Sequence, residues 1–206
     1  MRKAYSRIAW GLVLAMLDFR MGGFDLLPDA LGYVFVLVGL SQLKEGKRYF
    51  GIARWAVVGL LTLSMLQFFG LEATFSLTNG ERPDLPTLLL AGLSTALELT
   101  MFYGICRGIR SSAVKRRRLS LAISAKNGWA ILFAIGAASL FALPFQLNSA
   151  PENGPVYMLV LTVGYFLCSI WVIVLTRRAG RELAGPPNGD GNPSDEGIGE
   201  KLDVIV

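Results

Sequence analysis

The chain of 206 residues contains no histidine, and that one absence excludes a Ser-His-Asp triad, an imidazole metal site and an HExxH zinc motif. Charge is scarce as well. Asp, Glu, Lys and Arg make up 17% of the residues, against roughly 25% in a soluble domain. Cysteine is limited to Cys106 and Cys168, which form no CxxC pair. They fall at different depths of two apolar segments, so they read as packing residues rather than as a disulfide. No P-loop, dinucleotide-binding glycine pattern or metal-ligand cluster occurs in the polar segments, so neither a cofactor nor a metal is expected.

Long apolar runs are what the chain does have, with 53% hydrophobic residues and a mean hydropathy of +0.50. Four runs stand out: 55–71, 87–106 (broken only by Glu98), 128–147 with Pro144 near its end, and 156–176. Each holds about 17–21 residues, enough to cross a hydrocarbon core of roughly 30 Å as a helix. A helix is required there, because lipid offers the backbone no alternative hydrogen-bond partners. The N-terminal part is shorter of material. Residues 8–43 would give only about 54 Å of helix, slightly under two crossings, with a polar stretch from Asp18 to Asp29 in the middle. The expectation is a tight helix pair, with a re-entrant hairpin reaching part-way as the alternative. Met1 to Leu17 imitates a signal peptide, but no small-x-small cleavage site follows, so it reads as a retained first span.

Lysine and arginine set the orientation. Arg2, Lys3 and Arg7, then Lys44, Lys47, Arg48 and Arg54, then Arg107, Arg110, Lys115, Arg116, Arg117, Arg118 and Lys126, and finally Arg177, Arg178 and Arg181 all fall on one side. Only Arg20 and Arg82 fall on the other. The expected architecture is therefore all-α: a polytopic bundle of six transmembrane helices over 1–182 (or four plus an N-terminal re-entrant hairpin), with both termini cytoplasmic. A disordered acidic tail over 183–206, rich in Gly, Pro, Asn and Asp, completes the chain. The seven cations from Arg107 to Lys126, with no acid and no interleaved stacking aromatics, point to anionic lipid headgroups rather than nucleic acid.

Two places carry candidate chemistry. Glu98 lies about twelve positions into its span, with Ser94, Thr95 and Ala91 at i−4, i−3 and i−7, a small and polar face that should turn inward. An intramembrane carboxyl is a functional hypothesis as a proton carrier or cation ligand. The second place is the cluster Asp18, Arg20, Asp25 and Asp29. Its structural alternative is helix initiation, with Asp25 as N-cap and Asp29 near the positive end of the helix dipole. In the fifth span Ala130, Ala134, Ala138 and Ala142 recur at i+4, a small-residue stripe that allows close helix packing, internally or in an oligomer.

Gly23 to Tyr33, GFDLLPDALGY, resembles the GFD-[IL]-LPD-x2-GY segment of small bacterial multi-span membrane proteins. The resemblance covers roughly a fifth of the chain; it implies a bacterial cell membrane and brings no activity with it. Asp18 followed by Leu27-Pro28-Asp29 is also similar to the first aspartate motif of prepilin peptidases, aspartyl proteases that cut within the membrane. The gap here is longer, and the GxGD motif of the second aspartate is missing from every span. The sole Gly-Asp pair is Gly189-Asp190 in the tail. With no catalytic constellation, the sequence leans away from an enzyme and toward an accessory or scaffold subunit that meets a membrane-protein partner or a second copy of itself. The alternative is a small transporter, or the substrate-binding subunit of one, that uses Glu98 and the Asp18–Asp29 cluster.

Overall fold

The computed structural model describes residues 1–16, 20–21, 24–25, 29–43, 46–68, 85–147 and 154–185. It is helical: α1 (Arg2–Met16), α2 (Asp29–Ser41), α3 (Lys47–Phe68), α4 (Leu85–Lys115), α5 (Leu119–Ala142) and α6 (Gly154–Glu182). Two short strands, β1 (Arg20–Met21) and β2 (Phe24–Asp25), pair antiparallel between α1 and α2, with Arg20 opposite Asp25 and Met21 opposite Phe24.

Four stretches within the helices are long and apolar enough to cross a membrane: Arg48–Leu66, Leu85–Lys115, Leu119–Phe145 and Leu159–Glu182. Each overlaps one of the four apolar runs of the sequence, with the bounds shifted by up to nine residues. The outward faces are those of a protein solvated by lipid, with Trp55 79% and Phe141 73% exposed. Each helix packs on its neighbours in chain order, and α1 packs on α6, so the six close into a ring. The common core draws Tyr5, Ile8 and Leu12 from α1, Val36 and Leu40 from α2, Phe50 from α3, Ile105 and Ile109 from α4, Leu121 and Leu132 from α5, and Val172 from α6.

The N-terminal pair is shorter than a full crossing. At 1.5 Å per residue α1 extends about 22 Å and α2 about 20 Å, against a core of roughly 30 Å. They run antiparallel with the backbones almost touching. A Cβ on Gly11 would lie 2.7 Å from the Gly32 carbonyl oxygen, and one on Gly39 would lie 2.9 Å from that of Ala4. Close approach of this kind is what small residues allow between helices in lipid, where dispersion replaces the hydrophobic effect as the driving force.

The basic residues gather at one end of the bundle. The segment from Arg107 to Lys126, expected as a loop, is mostly helix: Arg107, Arg110 and Lys115 lie on α4, Lys126 on α5, and Arg116–Arg118 make the turn. Arg and Lys are good helix formers, so both helices run on until these three residues reverse the chain. The Arg118 N–H donates to the Ala113 carbonyl at 2.9 Å and the Arg117 N–H to that of Val114 at 3.1 Å, with Arg117 at φ 54°. This is a Schellman closure in which an arginine occupies the left-handed position usually given to glycine. Arg116 then ties three segments together. Its guanidinium donates to the carbonyls of Leu183 at 2.6 Å and Gly185 at 3.3 Å, and lies 3.3 Å from the Met1 sulfur. The chain start, the α4–α5 turn and the end of α6 therefore share one end of the bundle. Gly46, before α3, belongs there too, since a Cβ on it would be 3.4 Å from the Gly108 carbonyl.

At the opposite end α5 stops at Ala142 and continues as a 3-10 turn over Leu143–Leu147, because Pro144 lacks the N–H that a further α turn needs. Cys106 is buried and Cys168 half-buried, and both are free thiols. One buried side chain is left unsatisfied: the Ser112 hydroxyl on α4 has no hydrogen-bond partner among the described residues. Ser112→Ala should therefore stabilise the protein by about 1 kcal/mol, through the lost desolvation cost and a better helix former. A melting curve in detergent reads the change; a lower melting temperature would mean that the hydroxyl has a partner in the membrane. Of the expected tail, residues 186–206 lie outside the described residues.

Candidate functional site

Three alternate members of the ring, α2, α4 and α6, each turn an i, i+4 pair of side chains toward the interior. From α4 come Glu98 and Phe102, from α6 Tyr165 and Ser169, and from α2 Asp29 and Tyr33. The Tyr165 hydroxyl donates to Glu98 Oε2 at 3.0 Å, across 67 residues of chain. The Tyr165 ring stands edge-to-face on Phe102 with centroids 6.4 Å apart. Below it the Ser169 hydroxyl, 2% exposed, donates to the Tyr165 carbonyl at 2.9 Å and so spends itself on its own helix.

Asp29 and Tyr33 join this group through the field. Glu98 interacts electrostatically with Asp29 and with Tyr33, and Tyr33 with Tyr165. Helix geometry accounts for the meeting. Asp29 lies about 18 Å from the Ser41 end of α2, and Glu98 about 15 Å along α4 from Gly108. The short α2 therefore ends where α4 is near its middle. Asp29 lies in the first turn of α2, as the sequence suggested. The positive end of the α2 dipole favours the Asp29 carboxylate there. Among the described residues Glu98 has no ion pair, and its hydrogen-bond partner is the neutral Tyr165 hydroxyl.

The sequence had marked Glu98 by its position, and its neighbours Ser94 and Thr95 as the polar face. The structure keeps that face half-buried but gives Glu98 a partner from elsewhere. The Thr95 hydroxyl bonds instead to the Ala91 carbonyl at 2.9 Å on its own helix. Tyr165 and Phe102 were not singled out, and Tyr33 entered only as the last residue of the GFDLLPDALGY segment. A signal existed, since a tyrosine within an apolar span carries a hydroxyl that lipid cannot satisfy. Asp25 is not the N-cap: it sits in β2 opposite Arg20, four residues before the first residue of α2. The backbone of Arg20 is placed in β1, and Asp18 lies outside the described residues.

The alanine stripe does not follow one interface. Ala130 and Ala134 are exposed, Ala138 is half-buried and Ala142 is buried, because an i+4 row drifts about 40° per step around a helix of 3.6 residues per turn. The inward face of α5 is instead Leu121, Ala125, Gly128, Leu132 and Gly136. Among the basic residues, Arg107 lies over the Tyr103 ring at 5.7 Å, and Arg177 over the Trp10 ring at 4.9 Å. No group of three or more acidic or cysteine side chains suited to a metal ion occurs among the described residues. Comparison of the chain with protein-family models, with curated proteins and with solved structures finds no match in any of the three.

Proposed function

We propose that this is a small membrane transporter, or the substrate-binding subunit of one, whose working group is the Glu98 carboxyl inside the helix ring. The observation that carries this reading is the hydrogen bond from the Tyr165 hydroxyl to the Glu98 carboxyl, which joins α6 to α4 within their spanning stretches, with Tyr33 and Asp29 of α2 in electrostatic reach. A carboxyl on a spanning helix is costly in a bilayer and is retained where a proton or a cation has to be held. The chain sits in a bacterial plasma membrane with its basic end in the cytoplasm, against anionic headgroups, in keeping with the lysine and arginine distribution. Both termini are then cytoplasmic. The lengths of α1 and α2 favour the version with four spans and an N-terminal hairpin that reaches part-way, so that Asp29 is delivered to mid-membrane depth.

The test is proton flux into proteoliposomes that carry the purified chain and an internal pH dye, driven by a potassium-diffusion potential. Wild type should acidify the lumen, and Glu98→Gln, which keeps shape and hydrogen bonding, should fall to the rate of empty liposomes while remaining monodisperse. Unchanged flux in Glu98→Gln removes Glu98 from the mechanism. An absence of flux in wild type favours the second reading, an accessory subunit. The outward placement of Ala130 and Ala134 supports that reading, since small residues on a lipid-facing side suit a partner helix.

A further inference from the structure

We propose that the outer face of the α1–α6 seam binds one anionic phospholipid, its phosphate held by Arg177 and Arg181 of α6 and by Lys3 and Arg7 of α1. The site is independent of the chemistry of Glu98 and lies on the outside of the bundle. Two helices from opposite ends of the chain form this seam. They meet at Gly180, where a Cβ would lie 2.9 Å from the Tyr5 Cβ. Beside that contact the Arg177 guanidinium lies over the Trp10 ring at 4.9 Å, so these two side chains bridge the helices. Helical spacing brings the other cations to the same place. Arg181 follows Arg177 by one turn, and Lys3 and Arg7 precede Trp10 by seven and three residues. All four cations are exposed, and Trp10 is 54% exposed.

Charge on this seam is uncompensated. The α1 helix carries no acid, and the one acid of α6, Glu182, is held by Arg178 at 2.5 Å. None of the four cations has an ion pair among the described residues. Stacking on Trp10 occupies the face of the Arg177 guanidinium. Its N–H edge, the part that fits a phosphate, has no protein acceptor among the described residues. Four like charges on one seam repel one another, and an anion among them offsets that repulsion. The apolar part of the seam decides which anion. Val174, Ile170 and Leu167 precede Arg177 by three, seven and ten residues and so continue its stripe away from the basic end. They are 53%, 40% and 60% exposed. A free phosphate or an acidic peptide would use the cations alone. A phospholipid uses the whole stripe, with its phosphate on the cations, its glycerol at the level of Trp10 and an acyl chain along α6.

The experiment is native mass spectrometry of the full chain in a non-ionic detergent, titrated with palmitoyl-oleoyl phosphatidylglycerol or with the phosphatidylcholine of the same chains. One phosphatidylglycerol should bind at least tenfold more tightly than phosphatidylcholine. Removing one cation, in Arg177→Gln or Arg181→Gln, should weaken it about fivefold. Arg177→Lys should lose less, and Trp10→Leu should lose more than Trp10→Phe. The reference variant is Arg48→Gln with Lys126→Gln, two exposed cations of the same end on α3 and α5. It should bind like wild type. These side chains are exposed, so each variant should melt with the wild type in lipid-free detergent. Equal affinity for the two lipids makes the seam ordinary lipid-facing surface and overturns the proposal. An equal loss in the reference variant does so too, since the attraction is then diffuse. Displacement of the lipid by glycerol 3-phosphate at equal concentration overturns it in favour of a free phosphate ester. Binding that appears only after the five acids of residues 186–206 are changed to their amides makes the chain's own tail the occupant and also defeats it.

Discussion

Gly32→Val should detach the N-terminal hairpin from the bundle. A Cβ at Gly32 would lie 2.5 Å from the Ala15 nitrogen and 2.8 Å from the Gly11 carbonyl oxygen, both backbone atoms of α1. Backbone cannot swing aside as a side-chain tip can, so the two helices must separate along their whole contact. Overpacking in a tight core costs about 1–3 kcal/mol, and the rigid neighbours here put the loss at or above the top of that range. The damage extends to the candidate site, because α2 carries Asp29 and Tyr33. Thermal unfolding in detergent measures the loss, and Gly51→Ala provides the control. A Cβ at Gly51 meets nothing within 4 Å, so that variant should be neutral or stabilised by up to about 1 kcal/mol. If Gly32→Val melts with the wild type, the close α1–α2 contact is not what holds the hairpin.

Arg116→Ala should loosen the basic end of the molecule. Its guanidinium is bonded to the Leu183 and Gly185 carbonyls just past α6, so its loss leaves these acceptors without that donor and unties α4 from α6. Hydrogen bonds from a charged donor contribute about 1.5–3 kcal/mol, and that is the expected destabilisation. Arg116→Lys should recover only part of it, since an ammonium cannot reproduce the planar fork. Melting temperature and the rate of proteolytic cutting near Leu183 are the two readouts. A cutting rate equal to that of the wild type would show that α6 ends independently of Arg116. This arginine was counted in the sequence with its six basic neighbours as a lipid contact. Its role as a clamp depends on carbonyls 67 and 69 residues away, which no local pattern announces.

The candidate site divides in the same way. Glu98 was legible because a carboxyl in an apolar run stands out one-dimensionally, and Asp29 because acids belong in the first turn of a helix. The N-cap assigned to Asp25 failed because Asp25 lies in β2 opposite Arg20, a pairing with a neighbouring strand that local propensity does not announce. Tyr165 and Phe102 were passed over as ordinary aromatics of apolar spans.

Sequence by itself determined the four spanning helices and the gathering of cations at one end. Each follows from a length or a composition that lipid imposes on any chain, independent of what packs beside it. Tertiary structure decided the closure of the ring, the depth at which α2 stops and the partner of Glu98. The reason is physical: α6 is apolar on nearly every side, so periodicity cannot say which face turns inward. Only its packing against α5 and α1 points Tyr165 at α4.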